Sequence, residues 1–157
     1  MPLSWARALA IWFGFGLLRP APGSWGSLAA LPLAWAAFSL GGALGVGLAG
    51  LVVLAAGIPA AESYCRASAK SDPSEVVIDE VAGQLLALAL VPPDWLSYAL
   101  GFLFFRVFDI LKPGPIGWAD RKIKGGLGVM LDDVIAGVLA GLLLYALGKG
   151  TGWWTTI

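Results

Sequence analysis

Histidine is absent from this chain of 157 residues. That absence removes imidazole-activated serine and cysteine nucleophiles, phosphohistidine intermediates and His-ligated zinc. Cysteine is represented by Cys65 alone, which excludes an internal disulfide and any cysteine-cluster metal site. Position 71 is Ser, so Cys65 also lacks the arginine partner of the Cys-dependent phosphatases; it reads as a small apolar residue near a helix end. Charge is scarce as well, at 13% of residues, where soluble domains carry roughly 25%. With 59% hydrophobic residues, the chain reads as one integral membrane domain over 1–157. Ten basic and ten acidic residues cancel, so no overall field draws in nucleic acid, and none is expected as a partner. There is no Asp-x-Asp nucleophile pair, no Gly-Lys-Ser/Thr phosphate loop and no spaced four-aspartate pattern of the CDP-alcohol transferases.

The charge that is present is unevenly placed. None occurs between Arg19 and Glu62, and much of the rest crowds into Asp72–Glu80 and Arg106–Asp133. Charge held beside hydrocarbon is expensive and usually marks an ion pathway or an active site. Ser4–Leu18, with aromatics at helical spacing, is expected to be a helix lying at a membrane interface (residues 1–18), without a cleavable signal. Helices are expected from about Ser27 to Leu40 and from Ala43 to about Ala69, with Gly41-Gly42 as the turn and Pro59 causing at most a kink. Asp72-Pro73-Ser74-Glu75 has the form of a helix start. Val81–Val91, Trp95–Phe105 and Val134–Leu147 complete the apolar helices, and Trp153-Trp154 suits an interface. Gly137 and Gly141 stand in small-xxx-small spacing, which favours close helix approach.

Several of these runs fall short of the roughly 20 residues that span a bilayer, so their charged ends are expected to reach the headgroups. Alternating the helices puts 19–26, 62–80 and 106–133 on one face with nine of the ten basic residues, leaving Lys149 opposite. The positive-inside rule makes that face cytoplasmic. The expected fold is therefore all-α, a polytopic membrane helix bundle with its site at the cytoplasmic membrane interface. A homo-oligomer is compatible with the sequence.

Two acidic doublets, Asp79-Glu80 and Asp132-Asp133, each precede an apolar helix. One reading is a pair of helix N-termini, where the macrodipole favours acids. The other is a hard-cation site, since paired carboxylates with water and phosphate are what Mg²⁺ takes. Arg106, Asp109 and Lys112 follow at i, i+3 and i+6. They form either a self-neutralising Arg–Asp pair or a metal ligand, Asp109, beside two phosphate-binding cations. Gly125-Gly126-Leu127-Gly128 and Pro22-Gly23-Ser24-Trp25-Gly26-Ser27 are candidate backbone cradles for an anion. Arg121-Lys122-Ile123-Lys124 is a headgroup-facing basic patch, and Asp120 is a ligand or a surface salt link.

Taken together, four segments resemble the phosphatidylglycerophosphatase A family. They are Gly14-Phe15-Gly16 with Pro22–Ala30, Val77–Gly83, Phe105–Ile116 and Gly125–Gly137, in order and covering most of the chain from Phe13 to Leu147. The resemblance implies a bacterial inner-membrane, multi-pass, Mg²⁺-dependent enzyme. It would hydrolyse the phospholipid phosphatidylglycerophosphate to phosphatidylglycerol and phosphate. Its acidic positions carry over onto Asp79, Glu80, Asp109, Asp132 and Asp133 as catalytic and metal-binding residues. Arg106 and Lys112, with Gly23 and Ser24, are expected to bind the substrate phosphate. Direct water attack and an aspartyl-phosphate route both remain open. A small cation or proton transporter using the same acids is the rival function, and a lipid-binding subunit a further one; neither an internal repeat nor mid-membrane acids favour the transporter.

Overall fold

The computed structural model describes residues 4–152, in which helices and turns are present and strands are not. A short helix α1 (Trp5–Ala10) is followed by a 3₁₀ segment (Trp12–Leu17) and then by α2 (Pro22–Ser68), α3 (Ile78–Leu88), α4 (Trp95–Leu111), α5 (Pro115–Lys122) and α6 (Gly125–Gly150).

The expected turn at Gly41-Gly42 splits α2 into two arms, with φ/ψ of −148°/16° and 61°/−154° at the two glycines. The second pair suits only glycine. The arms, 22–40 and 43–68, fold back on one another and come so close that a Cβ at Gly45 would strike the Ala37 carbonyl. Pro32 and Pro59 sit inside the arms without ending them. Among the described residues, two helices, α2 and α6, are long and apolar enough to cross a membrane. Together with leucines turned outward around the bundle, such as Leu44, Leu48 and Leu51, they make this an all-α membrane protein. Trp5, Trp95 and Trp118 are exposed; Trp95 opens α4 and Trp118 lies on α5, beyond the other end of α4, as aromatic belts would place them.

The core forms where α3 is enclosed by both arms of α2 and by α6. Ile78, Val81, Leu85 and Leu88 of α3 pack with Val46, Val53, Met130 and Leu144. Closest approach is at glycine. A Cβ on Gly137 would meet the Gly83 carbonyl group, and one on Gly141 would lie 2.8 Å from the Ala87 carbonyl oxygen. The small-xxx-small face of α6 is thus what lets it cross α3 backbone to backbone.

Several sequence expectations need correction. The single helix expected over Ser4–Leu18 breaks after Ala10, where Trp12, Phe13 and Gly14 take positive φ. The segment is also tied to the bundle. Ala10 accepts a 2.9 Å hydrogen bond from the Val77 N–H, and Gly16 abuts the Glu75 backbone, so it braces the turn before α3. Asp72-Pro73-Ser74-Glu75 starts no helix; it is that turn, and α3 begins at Ile78. Helix α2 begins at Pro22 rather than Ser27, with proline in the first turn where its missing N–H costs nothing. Helix α6 begins at Gly125 rather than beside Val134. Trp153 and Trp154 lie outside the described residues.

Candidate active site

The charged segments converge at one end of the bundle around a cavity of ≈ 340 Å³. Its walls come from the N-terminus of α2, the 71–76 turn, the first turn of α3, the C-terminal end of α4, α5 and the first turns of α6. Asp79, Glu80, Arg106, Asp109, Lys112, Asp120, Asp132 and Asp133 all face it.

Three acids form its tightest group. Asp79, Glu80 and Asp133 each offer a carboxylate oxygen, and these atoms lie within 4.8 Å of one another. Asp79 and Asp133 are only 8% and 3% exposed. One oxygen of each of the three is buried without a hydrogen-bond partner. Three carboxylates so close and so dry repel strongly unless positive charge joins them. Their chemistry and spacing fit a hard divalent cation.

Two cations flank the triad, each positioned by acids. Arg106 Nη1 lies 2.6 Å from Asp109 Oδ2 and 3.8 Å from Glu80 Oε1. The i, i+3 relation on α4 brings Arg106 and Asp109 to the same face. Lys112 Nζ donates to Asp120 Oδ1 at 2.6 Å and to Asp132 Oδ2 at 2.7 Å. Burial works against charge on Lys112, but the hydrogen bonds to Asp120 and Asp132 and their charges outweigh it and raise its pKa. Lys112 caps α4 in the left-handed region, at φ 46°, a conformation that costs a non-glycine residue on the order of 1 kcal/mol. There the backbone turns between α4 and α5, and the side chain bridges to α5 and α6.

A model of the phosphatidylglycerophosphatase A family matches residues 8–148. The chain belongs to that family. It is 38% identical over 152 residues to phosphatidylglycerophosphatase A of Escherichia coli (strain K12), covering 89% of this chain and 81% of the relative. The enzyme of the same name from Haemophilus influenzae is 36% identical over 140 residues, with 88% and 86% covered. A Bacteroides thetaiotaomicron protein named "Putative phosphatidylinositol-3-phosphatase" is 42% identical over 140 residues, with 84% and 86% covered. No solved structure matches the chain.

Within this member of the phosphatidylglycerophosphatase A family, the five expected acids and both cations all reach one cavity, but in two groups. Asp79, Glu80 and Asp133 make the triad, whereas Asp109 and Asp132 are engaged by Arg106 and Lys112. The doublets also differ in setting. Asp79-Glu80 lies in the first turn of α3, where the dipole favours acids. Asp132-Asp133 does not open a helix, being two turns inside α6, so the helix-dipole reading does not account for it.

The two glycine-rich segments both open helices at the cavity. Pro22–Ser27 is helical, and Gly23 lines the cavity at a point where any larger residue would collide with Glu80. Ser24 does not line it. Gly125–Gly128 is the first turn of α6, and the Gly126 N–H is occupied by Glu62 Oε2 at 2.6 Å. Glu62 lies 64 residues from Gly126, so no local pattern marks it as the cap of α6. Asp120 stands eight residues from Lys112, and the Pro-Gly-Pro turn between them lets the two meet. Lys124 also lines the cavity and donates to the Asp120 carbonyl oxygen at 3.1 Å, while Arg121 and Lys122 are exposed.

Proposed function

We propose that this protein hydrolyses the terminal phosphomonoester of phosphatidylglycerophosphate, releasing phosphatidylglycerol and inorganic phosphate, with Mg²⁺ as its cofactor. The observation that carries the reading is the dry triad of Asp79, Glu80 and Asp133 beside two acid-held cations, in a chain of the phosphatidylglycerophosphatase A family. Asp79, Glu80 and Asp133 would hold the cation, which supplies Lewis-acid polarisation of the phosphoryl oxygens and a more acidic bound water.

The chain's own residues do the rest. Arg106, oriented by Asp109, presents its guanidinium to the cavity and pairs with phosphoryl oxygens as their charge grows. Lys112 adds a point charge held in place by Asp120 and Asp132. A buried carboxylate accepts the proton of the attacking water. The new P–O bond forms as the ester P–O bond breaks, and the glycerol oxygen leaves as the protonated alcohol. Gly23 keeps α2 close to Glu80 without filling the phosphate space.

The bundle is multi-pass in this reading, with the cavity at headgroup depth on the cytoplasmic side of a bacterial inner membrane. Bases gather at the cavity end and Lys149 lies at the other, which supports that orientation. Acids gathered at one end of the bundle also suit surface chemistry better than transport through mid-membrane.

Phosphate release from dioleoyl phosphatidylglycerophosphate in mixed micelles, after EDTA treatment and Mg²⁺ titration, tests the reading. Saturable, Mg²⁺-dependent release is expected, and faster than from phosphatidylinositol 3-phosphate or phosphatidate. Folded protein that releases no phosphate from this lipid refutes the activity. Full release in EDTA refutes the cofactor.

A further inference from the structure

A second cavity of ≈ 540 Å³ lies at the opposite end of the bundle, lined by Leu31, Pro32, Trp35, Trp95, Tyr98 and Ala99 among others and almost wholly apolar. It sits between the first arm of α2 and α4, which pack only lightly on each other. Trp35 reaches across this space, with its ring 5.7 Å from that of Trp95 and 5.4 Å from that of Tyr98.

The register of both helices joins this cavity to the acidic one. On α4, Trp95, Tyr98, Ala99, Phe102, Arg106 and Asp109 follow at intervals of three, one, three, four and three residues. At 100° per residue they fall on one stripe roughly 100° wide. The same stripe thus supplies the apolar walls at one end and the Arg106–Asp109 pair at the other. On α2, Trp25, Leu28, Pro32 and Trp35 make a matching stripe that ends at the wall of the apolar cavity, and Pro22 and Gly23, just before Trp25, line the acidic one. The two helices run in opposite directions and meet at both ends, Trp35 against Trp95 and Tyr98 at one and Gly23 near Arg106 at the other, so a single seam lies between them. From Ala99 to Arg106 along it is about 10 Å at 1.5 Å per residue.

We infer that this α2–α4 seam is the acyl-chain site of the lipid substrate, with one chain running from the Arg106 end into the pocket of Trp35, Trp95 and Tyr98. The inference rests on the phosphatase reading above and adds to it where the hydrocarbon goes. The occupant is a fatty-acyl chain because the seam begins at the proposed phosphate site and ends in a dry pocket. The pocket wall is apolar but for a buried, unpartnered Tyr98 hydroxyl, too little to pair the backbone of a peptide or a strongly polar ligand. Trp25 and Leu28, each more than a third exposed, leave the seam open sideways to the bilayer.

Two measurements test it. The first compares kcat/KM for dioleoyl and dioctanoyl phosphatidylglycerophosphate in wild type and in Ala99→Trp, which fills the pocket. The long-to-short ratio is expected to fall about tenfold, the factor lost when a couple of methylenes are denied burial. An unchanged ratio in a folded variant overturns the proposal. The second uses wild-type chain in nanodiscs containing phosphatidylglycerophosphate with a diazirine at the end of one acyl chain. Crosslinks should concentrate in 31–36 and 95–99 and be competed by unlabelled dioleoyl lipid. Crosslinks spread evenly over outward residues such as Leu44 and Leu51, or indifferent to competitor, overturn it. Wild type that releases no phosphate from either lipid refutes the activity instead, and the competed crosslink then still decides the seam.

Discussion

Gly137 offers a sharp test of how the fold sets the site. A Cβ added there would lie 2.8 Å from the Gly83 carbonyl carbon and 2.9 Å from its Cα, besides striking the carbonyl oxygen. Carbon atoms pack at about 3.5–4.0 Å, and backbone cannot rotate away as a side chain does. Gly137→Ala therefore forces α3 and α6 apart by about 1 Å. Overpacking of this kind costs on the order of 1–3 kcal/mol in stability. The larger effect is expected on chemistry, because Asp133 lies one turn before Gly137, and Asp79-Glu80 one turn before Gly83. Oxygens held within 4.8 Å of one another cannot keep that spacing when their helices separate, and a 1 Å misplacement can cost roughly 10²-fold in rate. Initial rates of phosphate release and a thermal melt in detergent separate the two effects. Gly41→Ala is the control, since nothing lies within 4 Å of a Cβ there. A Gly137→Ala protein with wild-type rate and melting temperature would refute the claim that this crossing positions the acids.

Other predictions follow from the same geometry. Gly23→Ala puts a methyl group against the Glu80 carboxylate and 3.0 Å from Arg106 Nη1; these are mobile side-chain ends, so activity should drop about tenfold or more while the melting temperature barely moves. Lys112→Met strands the buried Asp132 and should lower stability by on the order of 1–3 kcal/mol, read by denaturation. Because its pairing raises the Lys112 pKa, that contribution is complete below the unfolded lysine value near 10.4 and is lost only above it. The wild-type-minus-variant gap in melting temperature should thus stay flat from about pH 6 to 9 and narrow only in stronger alkali. Glu62→Ala removes the acceptor for the Gly126 N–H and should lower the melting temperature with Mg²⁺ affinity retained, the latter measured by titrating phosphate release.

The helices were legible wherever hydropathy and glycine agreed. The Gly41-Gly42 turn and the Gly137/Gly141 face declared themselves because each answers to a local rule, positive φ in one case and close approach in the other. The site acids were legible as types, since doublets in apolar surroundings are costly without a reason. Their partition was not. The i, i+3 spacing announces the Arg106–Asp109 pair, but whether Asp109 also joins the triad depends on how α4 lies against α3, which no local pattern encodes. Asp72-Pro73-Ser74-Glu75 misled because a capping signature describes what a turn can begin, whereas the brace from Ala10 and Gly16 delays the helix to Ile78. The charge and glycine of 112–128 masked both α5 and the start of α6, whose cap arrives from Glu62 on another helix.

The central claim is that Asp79 and Asp133 act together at a phosphatase centre. Phosphate release from dioleoyl phosphatidylglycerophosphate in saturating Mg²⁺, for wild type, Asp79→Asn and Asp133→Asn of verified fold, tests it most directly. Each substitution keeps the side-chain shape and removes one charge from the triad, so each should reduce the rate on the order of 10²-fold or more. Near-wild-type rates in either folded variant would contradict the account.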